Sequence, residues 1–173
     1  MDAMQNMLTR RSVRQYKPDP IPRDVLEKIV EAGTWAATGM NKQAPIIIAV
    51  TNKEMRDRLS RMNAAVMGSS NDPFYGAPVV LIVLADKATA GTYLYDGSLV
   101  MGNLMLAAHA QGIASCWIHR AKQEFESEEG KAILRDLGIE GDYEGIGHCI
   151  LGYAAGPEPA PKPRKENYVY WIE

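Results

Sequence analysis

Between Tyr93 and Gln111 the sequence carries a helical pattern with almost no polar side: Leu99, Met101, Leu104, Met105, Leu106, Ala107 and Ala108 cover nearly the whole circumference. A helix apolar all round is stable only when protein surrounds it, so it is expected at the centre of a layered domain. A chain of 173 residues can bury roughly 70% of its unfolded surface, enough for one core without staples. Residues 1–173 are therefore read as one domain, and no repeat, low-complexity tract or internal linker interrupts them.

The remaining elements follow from shorter signals. Pro22 stands at the first turn of an apolar stripe, Val25, Leu26, Ile29, Val30 and Gly33, which predicts a helix. Ile46–Thr51 after Pro45 and Val79–Ala85 after Pro78 are continuous β-branched runs, the pattern of strands covered on both faces. Glu54–Met67 between them reads as an amphipathic helix, followed by a loop from Gly68 to Pro73. Gly112 ends the apolar helix, Ile113–Ile118 reads as a strand, and Ser127 caps a helix that runs through Leu137 to Gly138. Ile146–Tyr153 is a further strand. The tail from Gly156 is proline-rich and finishes Tyr168-Val169-Tyr170-Trp171-Ile172, an apolar segment that needs a surface, either its own sheet edge or a partner subunit. Helices alternating with about four buried strands predict an α+β or α/β domain.

Several function classes fall away. With 19 basic and 21 acidic residues the net charge is −2, too little to draw in a nucleic acid backbone. The longest apolar run, Ala77–Ala85, is far short of the ~20 residues that a membrane span needs. The first residues, with Asp2, Arg10 and Arg11, show no secretory pattern, so a soluble cytoplasmic protein is expected. Cys116 and Cys149 lie in strand-like runs without CxxC spacing and are read as reduced core residues. Gly145-Ile146-Gly147 precedes a strand instead of joining strand to helix, which excludes a dinucleotide loop. No P-loop, HExxH or nucleophile elbow is present. His109, His119 and His148 lack ligand spacing and are read as satisfied or exposed, with no metal site expected. No hydrolytic machinery is evident, which leaves chemistry carried by a bound cofactor.

Two basic clusters remain. Arg10-Arg11-Ser12-Val13-Arg14 offers three guanidinium forks and a hydroxyl, suited to an anion with several oxygens, or equally to a solvated basic patch. Lys162-Pro163-Arg164-Lys165 sits in the stiff tail and taken alone reads as a charged linker.

Taken in order, these pieces resemble the nitroreductase family of flavoproteins. The similar features are Arg10-Arg11-Ser12-Val13-Arg14-Gln15-Tyr16 before Pro20-Ile21-Pro22, then Ala36-Ala37-Thr38-Gly39-Met40-Asn41-Lys42-Gln43-Ala44-Pro45. Phe74-Tyr75-Gly76-Ala77-Pro78, the helix Asp96–Ala108, Ala114-Ser115-Cys116-Trp117-Ile118, Leu151-Gly152-Tyr153 and Pro161-Lys162-Pro163-Arg164 follow. The resemblance spans nearly the whole chain. It implies an α+β layered fold, a central mixed sheet of about four strands flanked by helices, with a C-terminal arm reaching the partner subunit of a homodimer. It also implies FMN at the dimer interface. By that resemblance Arg10, Ser12, Lys162 and Arg164 hold the phosphate, Arg11 is a further cofactor-binding residue, and Arg14 approaches the pyrimidine edge of the ring. Thr38, Gly39 and Asn41 come from the opposite subunit, while Trp117, Ile118 and His119 lie along the ring and Asn71 serves its polar edge. Phe74, Tyr75, Trp117 and His119 are candidates to line the open face.

The activity so implied is an NAD(P)H-dependent oxidoreductase, in which NADH or NADPH reduces FMN and a small nitroaromatic, quinone or similar acceptor then takes two electrons in ping-pong order. No side chain is expected to act as a catalytic acid or base. The alternative is an FMN-binding storage or sensing protein without turnover. Two departures stand out: Ala37-Thr38 replaces the family's usual Pro-Ser, and the helical excursion that shapes the substrate channel of longer members is missing.

Overall fold

Strand β2 (Val79–Asp86) organises the molecule. Its side chains alternate between two apolar cores, Val80, Ile82 and Leu84 in one and Val79, Leu81, Val83 and Ala85 in the other, so both faces are covered and the strand has no polar position before Asp86 at its end. The structure is a computed structural model and describes residues 2–173. Strands β1 (Pro45–Val50) and β4 (Tyr143–Gly152) flank β2, and β3 (Ala114–Ile118) pairs with the far side of β4, giving the order β1-β2-β4-β3. One core is closed by helices α3 (Lys53–Val66), α5 (Ala121–Glu126) and α6 (Glu128–Asp136), which contribute Leu59, Met62, Phe125, Ile133 and Leu134. The other is closed by α2 (Arg23–Thr34) and α4 (Tyr93–Ala110), through Leu26, Ile29, Val100, Met101, Leu104 and Ala108. Helix α1 (Ala3–Thr9), capped by Asp2 accepting from Gln5 N at 2.8 Å, docks on α4 where Asn6 Nδ2 donates to the Leu106 carbonyl at 3.0 Å.

The α+β class stands, and the mixed sheet is corrected. All three strand pairings are antiparallel, and the one parallel bridge, Ser12 with Ser115, is isolated. The reason lies in the β2-α4-β3 connection. It returns the chain parallel to β2, as the helix–strand order suggested, but leaves a gap one strand wide. Antiparallel β4 fills that gap, so the parallel strands never touch.

Three further expectations change. β1 is an edge strand whose residues are mostly half-buried, with Ala49 exposed, because nothing covers its outer edge. α4 is not enclosed: one side is packed on the sheet, while Leu94, Tyr95 and Leu99 are exposed, Tyr95 at 73%. The tail from Ala155 onward is exposed and pairs with no strand among the described residues, which removes its own sheet edge as its resting place. Helices α1 and α5 were not legible at all, being seven and six residues long. No helix among the described residues is long and apolar enough to cross a membrane.

Candidate functional site

The segment following α1 is stitched to β3 and to the residues just past β4. Val13 N donates to the Ser115 carbonyl at 3.0 Å, Lys17 N to the Tyr153 carbonyl at 2.9 Å, and Ala155 N to the Gln15 carbonyl at 3.0 Å. Val13 and Tyr16 are buried, and the Tyr16 hydroxyl donates to the Val13 carbonyl at 2.7 Å, which fixes the segment's register. Burial pushes the Tyr16 phenol well above its usual range, so that hydroxyl is a permanent donor here. With those two side chains turned inward, Arg14 is left exposed. The bond from Ala155 to Gln15 also decides where the tail begins, and it sends residues 157–164 back along the arginines.

The two basic clusters, separated by about the whole length of the sequence, therefore face one another. Arg10, Arg11, Ser12 and Arg14 line a cleft of about 710 Å³ together with Lys162 and Arg164, and the other lining residues are apolar or proline. No carboxylate enters it. Nη1 of Arg10 is buried without a hydrogen-bond partner, and an unpaired buried cationic donor is costly unless a ligand meets it. Such a donor set fits the phosphate of FMN. The Arg11 guanidinium donates to the Leu8 and Arg10 carbonyls at 2.8 and 2.9 Å, which braces the turn.

Arg14 also lines a second cleft of about 360 Å³, whose walls are the segments around Asn71–Tyr75 and Trp117–Arg120. Tyr75, Trp117 and His119 border it as expected, whereas Phe74 is fully buried behind the wall. The glycines of Gly145-Ile146-Gly147 provide clearance. A Cβ on Gly147 would come within 2.3 Å of the Trp117 indole nitrogen, and one on Gly145 within 2.3 Å of the Ala121 backbone. Glycine at 147 thus lets the Trp117 indole pack closely against β4 at the cleft's edge.

What holds the walls was missed from sequence. Arg56, Ser60 and Asn63, spaced at i, i+4 and i+7 on α3, looked like a solvated face but are buried. Arg56 Nη2 pairs with Asp72 Oδ2 at 2.5 Å, and the Ser60 hydroxyl donates to Asp72 Oδ1 at 2.6 Å. Asp72 in turn accepts from the N–H groups of Phe74 and Gly76 at 2.9 and 2.7 Å. Burial works to raise the Asp72 carboxyl, but these donors outweigh it and hold the group below its usual range. The signal available was a polar stripe in helical register with the apolar one. His148 is corrected as well: it is wholly buried, its Nε2 lying 3.2 Å from Glu124 Oε2, short of good hydrogen-bond geometry, and its Nδ1 having no hydrogen-bond partner. His109 meets the Thr9 hydroxyl at 2.9 Å and His119 is exposed, as read.

Thr38, Gly39 and Asn41 line neither basic cleft. They sit at the start of α4, where Gly39 N donates to Asp96 Oδ1 at 3.0 Å and the Thr92 hydroxyl donates to Asp96 Oδ2 at 3.1 Å. A Cβ at Gly39 would meet Thr92 Oγ1 at 2.2 Å, so glycine is required there. Met40, Asn41 and Gln43 all adopt left-handed backbone with φ of 52°, 53° and 52°. Strain concentrated in one surface turn, held by a buried carboxylate, is typical of a segment kept for binding.

Comparison with known proteins agrees with this architecture. The chain matches a relative from Archaeoglobus fulgidus, named a candidate NADH dehydrogenase/NAD(P)H nitroreductase, at 30% identity over 171 residues, 96% of this chain and 90% of that one. A like-named relative from Methanothermobacter thermautotrophicus is 28% identical over 125 residues, but this match spans only 60% of its length and 68% of this chain. Among solved structures, a nitroreductase with bound FMN from Bacteroides fragilis superposes with a TM-score of 0.89 at 29% identity, with 100% of both chains covered. The profile of the Nitroreductase family matches residues 7–153, and with that span and this fold the chain belongs to the nitroreductase family.

Proposed function

We infer that this chain is an FMN-dependent NAD(P)H oxidoreductase of the nitroreductase type, working as a homodimer. The observation that carries the reading is the acid-free cationic cleft with the unpartnered Arg10 nitrogen, which shares Arg14 as a lining residue with a second, aromatic-edged cleft. FMN is bound in the B. fragilis structure that this chain matches end to end, and A. fulgidus and M. thermautotrophicus relatives carry NAD(P)H nitroreductase names. Bound FMN supplies the two-electron chemistry, taken from NADH or NADPH and passed to a nitroaromatic, quinone or similar small acceptor in ping-pong order.

The chain's own groups bind and orient. Arg10, Arg11, Ser12, Lys162 and Arg164 hold the phosphate by charge-assisted hydrogen bonds. Arg14, which lines both clefts, sets a positive charge at the pyrimidine edge of the ring. Trp117, Ile118 and His119 form the wall beside it, with Asn71 opposite. Thr38, Gly39 and Asn41, remote from these clefts within one subunit, serve the partner's flavin. Exposed Leu94, Tyr95 and Leu99 on α4 and the unpaired apolar tail are the surfaces that a second copy covers.

The protein is expected to purify yellow with noncovalent FMN. Heat release and chromatography identify the chromophore, and anaerobic NADH or NADPH bleaches it. FAD or no flavin affinity would overturn the assignment, while bound FMN that neither nicotinamide bleaches would favour storage or sensing over turnover.

A further inference from the structure

Asn63, Glu124 and His148 line neither cleft, yet all three are buried directly behind the Trp117–Arg120 wall. Asn63 Nδ2 donates to the His119 carbonyl at 2.8 Å and to Glu124 Oε1, while its Oδ1 accepts from Arg120 Nε at 2.9 Å. Each of those partners accepts or donates in one sense only, so the amide has a single workable orientation. Glu124 Oε2 lies 3.2 Å from His148 Nε2, with both side chains wholly removed from solvent. The His148 ring packs on Phe74, ring centroids 5.2 Å apart, and Phe74 is buried behind the Asn71–Tyr75 wall. Buried contacts thus run from behind one wall of the cleft to behind the other, on the α3 and α5 side of the sheet.

The same network explains a strained residue. Arg120 adopts φ 80° and ψ 4°, left-handed and not glycine. A side chain in that region persists only where its surroundings over-determine it, and here the Nε bond to Asn63 and the Asn63 bond to the preceding carbonyl do so from both sides. We propose that Asn63, backed by Glu124, is the positioning residue for the Trp117–Arg120 wall, and that it acts on the bound flavin through this wall without touching it. The proposal rests on the second cleft holding the flavin ring.

The test uses the full chain, with and without FMN, in Asn63→Ala and in the milder Arg120→Ala, which removes one bond from a partly exposed residue. In FMN-free protein, amide hydrogen exchange at residues 117–120 rises about tenfold in Asn63→Ala and by less in Arg120→Ala, with residues 10–14 unchanged. With FMN, both variants shift the flavin absorption envelope in the same direction, and FMN affinity falls about tenfold in Asn63→Ala. Glu124→Gln, which can still accept from Asn63, restores near wild-type exchange, whereas Glu124→Ala does not. Exchange that is unchanged at 117–120, or raised equally at 10–14, overturns the proposal, and Arg120→Ala decides the matter if Asn63→Ala does not fold. Wild-type protein that binds no FMN overturns the flavin reading instead, since the exchange arm is read without flavin.

Discussion

At the scale of single residues, the cationic cleft gives the sharpest expectation. Arg10 and Arg164 come from opposite ends of the chain and meet with no carboxylate between them, so their charge is unspent within the subunit. Each would give a phosphate a charge-assisted hydrogen bond typically worth about 1.5–3 kcal/mol. Arg10→Ala and Arg164→Ala are each expected to weaken FMN binding on the order of tenfold to a hundredfold. Fluorescence titration of released FMN measures it, and wild-type affinity in both variants would remove the phosphate from this cleft. Arg10→Ala has a second signature. Because Nη1 of Arg10 is already buried without a partner, its removal should cost the ligand-free fold little.

At the scale of elements, α3 acts as the anchor of the cleft. Arg56 and Ser60 hold the 71–76 loop through Asp72, whose carboxyl lies below its usual range because those donors overcome its burial. A carboxyl depressed in the fold contributes stability that is present above its unfolded value, about 4, and lost as pH falls through the lower folded value. The melting temperature of Asp72→Asn should therefore lie below wild type near neutrality, with the gap narrowing as the pH is lowered through about 4 towards 3. Thermal unfolding followed across that range tests it. A gap constant with pH would mean that shape, not charge, makes the clamp. Helix α4 teaches a related lesson: nearly its whole circumference is apolar, and the sheet, α2 and α1 still leave Leu94, Tyr95 and Leu99 uncovered.

For the whole molecule, the uncovered apolar surfaces matter most. Tyr168, Val169, Tyr170 and Trp171 are exposed, Trp171 at 83%, and β1 has a free edge. Leaving that much apolar surface in water is unfavourable. If a second copy covers the tail and the flavin is built from both chains, cofactor binding and dimerisation are thermodynamically linked. Deleting residues 167–173 should then give a protein both more monomeric and weaker for FMN, the two losses appearing together. Light scattering combined with an FMN titration measures both. A truncated chain that stays a fully flavin-loaded dimer would show that the tail serves neither purpose.

The sequence alone determined most of the long elements, because their signals are local. Pro22 before α2, Ser127 capping α6, the left-handed glycines 112 and 138, and the apolar runs of β2 and β4 all act within a few residues of the structure they specify. It also held the basic clusters, with the family resemblance attached to them. Only the tertiary structure decided what depends on distant pairing. Sheet order was one such case, since the slot between β2 and β3 is filled by a strand that comes later in the chain. The meeting of Arg10–Arg14 with Lys162 and Arg164 was another, set by the backbone pairing of residues 15–17 with 153–155. The burial of Arg56, Ser60, Asn63 and Glu124 was a third. Polar residues on a helix look alike in sequence whether water or a neighbouring loop satisfies them, and only the fold says which neighbour is there.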